Sequence, residues 1–125
     1  MRVLVDSSVW IDYFRGSNET DTLDHLIDNG LVIINDLILA ELVPPLILRK
    51  QQQVISILNA IDRVPMSIDW RQLIDMQVMC IQEGINKVSI PDLIIAQNAI
   101  ANSLKLHSHD KHFKLMSSCV GLSLY

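Results

Sequence analysis

Short apolar runs of the kind that form buried strands recur at residues 2–5, 31–34, 63–66, 104–107 and 122–124, and segments of helical period lie between them. This alternation predicts an α/β architecture, with a mostly parallel central sheet flanked by helices in an α/β/α arrangement. Leu23, Leu26 and Ile27 give residues 20–29 a helical period that stops at Asn29-Gly30, a pair suited to a C-terminal cap. Asn35 or Asp36 can cap a helix running through Leu39, Glu41 and Leu42 to Pro44-Pro45, where the missing N–H groups are expected to break or kink it. Residues 49–60 read as a further helix. Trp70, Leu73, Ile74, Val78 and Ile81 fall on one stripe ending at Glu83-Gly84, which predicts a surface helix that buries this stripe. Residues 91–101 differ: Leu93, Ile94, Ile95, Ala96, Ala99 and Ile100 leave almost no polar face, so this helix is expected to be buried, and the aspartate at its start is conspicuous.

With 125 residues the chain is the size of one domain, 1–125. Half of it is hydrophobic, 19% is charged and the net charge is −4, which excludes a disordered chain and a polycation. Gly16, Gly30, Gly84 and Gly121 are too scattered to write a glycine-rich nucleotide loop. Cys80 and Cys119 are each isolated among apolar residues, which points to ordinary buried thiols in a reducing cytosol rather than a disulfide framework or a cysteine zinc site. Asp6 interrupts the first apolar run too early for a signal peptide, and Asp36 and Glu41 break the most hydrophobic stretch, so the expectation is a cytoplasmic protein with no membrane partner. Residues 16–48 hold six acids, Glu19, Asp21, Asp24, Asp28, Asp36 and Glu41, and no lysine or arginine; either these are solvated helix faces or they form a docking surface for a basic partner.

Four acids share one address. Asp6 follows the first strand, Glu41 lies in the very apolar segment LILAELVPPLIL, Asp92 opens the buried helix, and Asp110 follows a late strand. Ligands of open α/β sheets bind outside the carboxyl ends of the strands; Asp6 and Asp110 are expected at such ends and the start of the Asp92 helix on the same edge, so the topology predicts that three of these acids converge. Two carboxylates about 4 Å apart repel by roughly 4 kcal/mol at an effective dielectric near 20, so a convergent set needs protons or a cation. Mg²⁺ or Mn²⁺ meets that need with oxygen ligands, and such an ion can activate water and offset charge on a phosphodiester. Each acid also has a structural reading: Asp6 as a helix cap, Asp92 as part of the S-x-x-D capping box from Ser89, Asp110 as a turn residue. His107, His109 and His112 invite a zinc reading, but no second ligand pair accompanies them, and beside Lys105, Lys111 and Lys114 they equally suit a positive rim for phosphate. Ser8 and Ser108, two residues from Asp6 and Asp110, can orient a carboxylate, bind substrate or cap a turn.

The segments VDSSVWIDYF, ILAEL around Glu41, IPDLIIAQNA around Asp92 and LHSHDKHF around Asp110 resemble, in this order and spacing, the PIN-domain nucleases, particularly the VapC-type toxins of bacterial toxin–antitoxin pairs. The resemblance covers the whole chain. It implies a metal-dependent endoribonuclease of RNA, dimeric as a homodimer, held in check by a cognate antitoxin whose tail enters the site. It further implies Asp6, Glu41 and Asp92 as direct or water-mediated ligands of Mg²⁺ or Mn²⁺, Asp110 as a supporting ligand, and Ser8, Ser108 and Lys111 as supporting or substrate-binding groups. Pro44-Pro45 and Gln97, where relatives often have alanine, depart from the pattern without touching the acids. A PIN nuclease of RNA maturation or decay outside a toxin system, and a non-catalytic α/β partner-binding module, are the competing readings.

Overall fold

Val3, Leu4 and Val5 are completely buried and form β1 (Val3–Val5), the middle strand of the sheet in the computed structural model, which describes residues 1–16, 21–86 and 88–125. The chain continues through α1 (Ser7–Phe14), α2 (Asp21–Asp28), β2 (Val32–Ile33), α3 (Asp36–Leu48) and α4 (Gln52–Ala60). It ends through α5 (Trp70–Gln82), α6 (Ile90–Ala101), β3 (Lys105–His107) and α7 (Lys111–Val120). The strands are parallel in the order β2-β1-β3, with Val3 opposite Val32 and Lys105, and Leu4 opposite Ile33 and Leu106. The connection from β1 travels one way across the sheet and the connection from β2 travels back over β1. With right-handed crossovers the two sets of helices take opposite faces, which is the expected layering. The direction reverses between β1 and β3, so their carboxyl ends open a crevice there.

The runs at 63–66 and 122–124 do not form strands. Each reduces to a single parallel bridge, Ile34 to Arg63 and Leu106 to Leu124, on the two edges of the sheet. Pro65, with no N–H to donate, suits such an edge, and β2 is cut short because Asn35 already turns to cap α3.

Nor does Pro44-Pro45 end its helix: α3 continues through both prolines to Leu48. Their missing N–H groups would have bonded the carbonyls of Ala40 and Glu41, and both residues are exposed, so water can serve those carbonyls. The break comes instead at Lys50, whose φ of 57° is left-handed and separates α3 from α4. Residues 49–51 therefore lie outside α4. Between the two candidate caps, Asn35 is the one used: its side chain accepts the Ile38 N–H at 2.8 Å.

Of the stripe that the sequence predicts to be buried on α5, only Leu73 is buried. Leu73, Met76 and Cys80 face the core, whereas Trp70 is 62% exposed, Ile74 57%, Val78 46% and Ile81 57%. The helix is apolar on two sides, and hydrophobicity alone does not say which side meets the core. Helix α7, to which the periodicity assigns no element, buries only Phe113 and Met116 and packs against α5. Cys80 of α5 is fully buried and Cys119 of α7 partly so; both are free, and burial together with the neighbouring Cys119 pushes the Cys80 thiol up to about 11. Thr20, the expected start of the second helix, and Glu19 lie outside the described residues.

As expected, α6 is almost wholly buried, from Leu93 through Ala99, and it carries Gln97 and Asn98 into the core. Gln97 donates to the Asp69 carbonyl at 3.0 Å and to Gln72 Oε1 at 2.7 Å and accepts the Asp69 N–H at 3.1 Å, pinning the start of α5. Asn98 accepts from Asn35 Nδ2 at 2.9 Å and donates to the Pro65 carbonyl at 3.0 Å, tying α6 to the cap of α3. Replacing Asn98 with alanine leaves the buried Asn35 amide without this acceptor and the Pro65 carbonyl without this donor, and urea unfolding should show a loss of about 2–4 kcal/mol. The same substitution at exposed Ile57 should stay within about 0.5 kcal/mol.

Candidate active site

Asp6 leaves β1 at the N-cap of α1, but its side chain makes no capping hydrogen bond. One carboxylate oxygen, Oδ2, instead accepts the hydroxyls of Ser8 at 2.8 Å and Ser108 at 2.9 Å, and only 5% of the residue is exposed. The serines are themselves held in place: Ser8 Oγ accepts the His109 N–H and Ser108 Oγ accepts the Asp110 N–H, both at 3.0 Å. The ends of β1 and β3 are thus laced together around one acid.

Asp92 sits half-buried in the first turn of α6, behind Ser89, whose hydroxyl accepts the Asp92 N–H at 3.2 Å. Asp110 caps α7 by accepting the His112 N–H at 2.9 Å. The structural roles expected for these two aspartates are therefore real, and both still turn a carboxylate toward the common crevice. Burial raises Asp92 above the ordinary carboxylate range, and the charges of Asp110 and Asp6 raise it further, against hydrogen bonds from Ser89. Glu41, on α3, is raised by desolvation and then by Asp6 and Asp92, while a hydrogen bond with Ser7 opposes the shift. Asp92 therefore feels Asp110 and Asp6 as like charges, and Glu41 feels Asp6 and Asp92. Glu41 is nevertheless exposed, so the apolar segment around it does not bury the acid.

Among the described residues, one group of acids, histidines or cysteines brings its ligand atoms within 4.8 Å of one another: Asp92, Asp110 and His112. Asp6 and Glu41 are outside this tight group and face it as charges. A crowded set of oxygens with one imidazole nitrogen suits a divalent cation, which would remove the repulsion that raises Glu41 and Asp92.

The three late histidines do not converge on a zinc site. His107 is lowered by burial and by neighbouring His109, and its ring meets His109 and Tyr125 edge-on, so it adds no positive charge to a rim. His109 Nδ1 contacts Asp12 Oδ2 at 2.6 Å, and His112 Nδ1 lies 3.0 Å from Asp110 Oδ1. Lys111 is exposed at the first position of α7. His112, which the sequence offers only as one of three histidines for zinc or for a positive rim, is the one that stands with Asp92 and Asp110; the signal for this, two residues past Asp110 in one turn, is masked by its likeness to the other histidines.

A parallel sheet of order β2-β1-β3 with acids gathered at its switch point defines an α/β protein with an acidic crevice. The family model described as PIN domain matches residues 3–117, and the chain belongs to this family, whose members are nucleases. Among solved structures it is similar to VapBC2 from Rickettsia felis bound to a DNA fragment from their promoter, at a TM-score of 0.77 and 19% identity over 100% of this chain and 98% of that one. It is also similar to FitAcB from Neisseria gonorrhoeae, at 0.72 and 19% over 98% and 96% of the two chains. A third likeness is to PAE2754 from Pyrobaculum aerophilum, at 0.64 and 14% over 95% and 87%. Comparison with curated proteins finds no match.

The raised carboxyls fix the sign of a pH effect. A carboxyl that titrates above its unfolded value binds protons more tightly in the folded chain, so stability falls as pH rises through the window just above the ordinary carboxylate range. In the absence of divalent ions, thermal melts should show a higher melting temperature near pH 5 than at pH 7 from these two groups. Asp92→Asn should shrink that difference and raise the melting temperature at pH 7.

Proposed function

We propose that this chain is a divalent-metal-dependent endoribonuclease that hydrolyses RNA phosphodiester bonds and acts as the toxin of a type II toxin–antitoxin pair. The observation that carries the reading is the crowding of acids at the switch point of a PIN fold, with Asp92 and Asp110 gathered beside His112, Asp6 acting on Asp92 as a like charge, and Asp6 and Asp92 acting on Glu41. These four are the proposed metal-holding and catalytic residues, and the domain spans residues 1–125. Mg²⁺ or Mn²⁺, when bound, supplies charge neutralisation at the scissile phosphate and activation of water. Ser8 and Ser108 donate their hydroxyls to the same oxygen of Asp6, Oδ2, and so fix the orientation of its carboxylate. Ser89 fixes Asp92 at the helix start. Lys111, with Lys114 on the same helix, supplies the positive rim that an acidic protein needs to hold RNA, so binding weakens as salt rises, whereas Lys105 stands at the amino end of β3, away from the crevice.

Likeness to VapBC2 and FitAcB supports a cognate antitoxin partner. A groove of about 170 Å³ between α1 and α3 suits such a partner's tail: Phe14, Leu42 and Leu46 line it, Arg15 and Arg49 stand beside it, and it reaches Glu41. The exposed Trp70, Ile74, Val78 and Ile81 face of α5 supports a homodimer. None of the described helices is long and apolar enough to cross a membrane, in keeping with a cytoplasmic protein.

Purified protein free of antitoxin should cleave total RNA with Mg²⁺ or Mn²⁺ and not with EDTA. Asp6→Asn or Asp92→Asn should lower the rate by more than the roughly 10–100-fold typical of losing a supporting contact near a metal, with the circular dichroism spectrum unchanged. Full activity in either variant, with contaminating nuclease excluded, would defeat the assignment. Ile74→Glu should convert the dimer to a folded monomer in sedimentation; an unchanged dimer would place the interface elsewhere.

A further inference from the structure

We propose that His112 is a nitrogen ligand of the cation held by Asp92 and Asp110, so that this site combines two carboxylates with one imidazole and favours later transition ions over Mg²⁺. The inference rests on the metal-dependent reading above and adds a residue and an ion preference to it.

Three observations lead to it. The ligand atoms of Asp92, Asp110 and His112 all lie within 4.8 Å of one another, and among the described residues no other such group exists. His112 Nδ1 stands 3.0 Å from Asp110 Oδ1, and two donors at right angles about an ion, with bonds of about 2.1 Å, are also roughly 3 Å apart. The backbone forces this juxtaposition: Asp110 caps α7 through the His112 N–H at 2.9 Å, which folds the two side chains into the same first turn. The His112 side chain is 29% exposed, and its Nδ1 faces Asp110. His109, one residue before Asp110, is instead engaged by Asp12.

The donor type has a chemical consequence. Carboxylates alone serve Mg²⁺ and Mn²⁺ well, whereas an imidazole adds affinity along the series from Mn²⁺ toward Co²⁺ and Ni²⁺ and adds little for Mg²⁺. A histidine that only oriented Asp110 through a hydrogen bond would support every ion alike.

The test uses the full chain loaded with Mn²⁺, Co²⁺ or Mg²⁺, and reads binding rather than cleavage. Electron spin-echo modulation of bound Mn²⁺ should show coupling to a directly bonded nitrogen, kept in His109→Gln and lost in His112→Gln. Titration calorimetry should show His112→Gln lowering Co²⁺ affinity by at least about tenfold and Mg²⁺ affinity by less than about threefold. Bound Mn²⁺ without nitrogen coupling, or equal losses for Co²⁺ and Mg²⁺, would overturn the ligand role and leave His112 as a positioning residue, with the nuclease reading intact. Folded native protein that binds none of the three ions would overturn both.

Discussion

The constraint on which the rest of the structure depends is the repulsion between carboxylates brought to one end of a three-stranded sheet, Asp110 and Asp6 acting on Asp92, and Asp6 and Asp92 on Glu41. The fold offsets it in three places by the same device. Asp6 precedes α1, Asp92 lies in the first turn of α6, and Asp110 caps α7. Each therefore sits at the positive end of a helix, a placement worth about 0.3–1 kcal/mol for a negative group. Hydroxyls from Ser8, Ser108 and Ser89 and the N–H of His112 add hydrogen bonds at the same points. Glu41 has no such help, because it lies midway along α3. It is held above its ordinary range with only a hydrogen bond with Ser7 to counter the shift.

Keeping these groups in register requires that their carriers not slide. Helix α3 bears Glu41 and helix α6 bears Asp92, and the Asn35–Asn98 hydrogen bond in the core joins the cap of one to the middle of the other. An apolar contact at this place would permit small shifts along the helix axes, whereas a buried amide pair has a fixed geometry and a large cost if broken. Gln97 does the same between α6 and the start of α5. Alanine at that position would leave the Asp69 N–H to find another partner.

Much of this was legible in the sequence because it is written in local chemistry. Val3 to Val5 announce a buried strand, Leu93 to Ile95 a buried helix, and the acids stand where strands end. What was not legible depends on choices between equal local options. α5 is apolar on two faces, and only the neighbouring α6 and α7 decide that Leu73, Met76 and Cys80 go inward while Trp70 and Ile74 stay out. α3 passes Pro44 and Pro45 because the deprived carbonyls belong to exposed residues, which a linear pattern does not reveal. α7 carries Phe113, Met116 and Val120 at helical spacing, but the short segment stands out for its histidines and lysines, which hide the helix and with it the first-turn pairing of Asp110 with His112. That Asp92 and Asp110 come close together is expected from sequence; that His112 stands beside them is not, since its placement comes from a helix cap.

The hydrogen bond from Ser108 to Asp6 closes a loop of 102 residues along the chain. A ribosome adding about 5–20 residues per second makes Asp6 roughly 5–20 s before Ser108. Through that interval the nascent chain carries Asp6 without its second hydroxyl, β1 without β3 beside it, and neither Asp110 nor His112. The acids become a site only when the last of these segments has been made, so the growing polypeptide passes most of its synthesis beside messenger and ribosomal RNA with its crevice unbuilt.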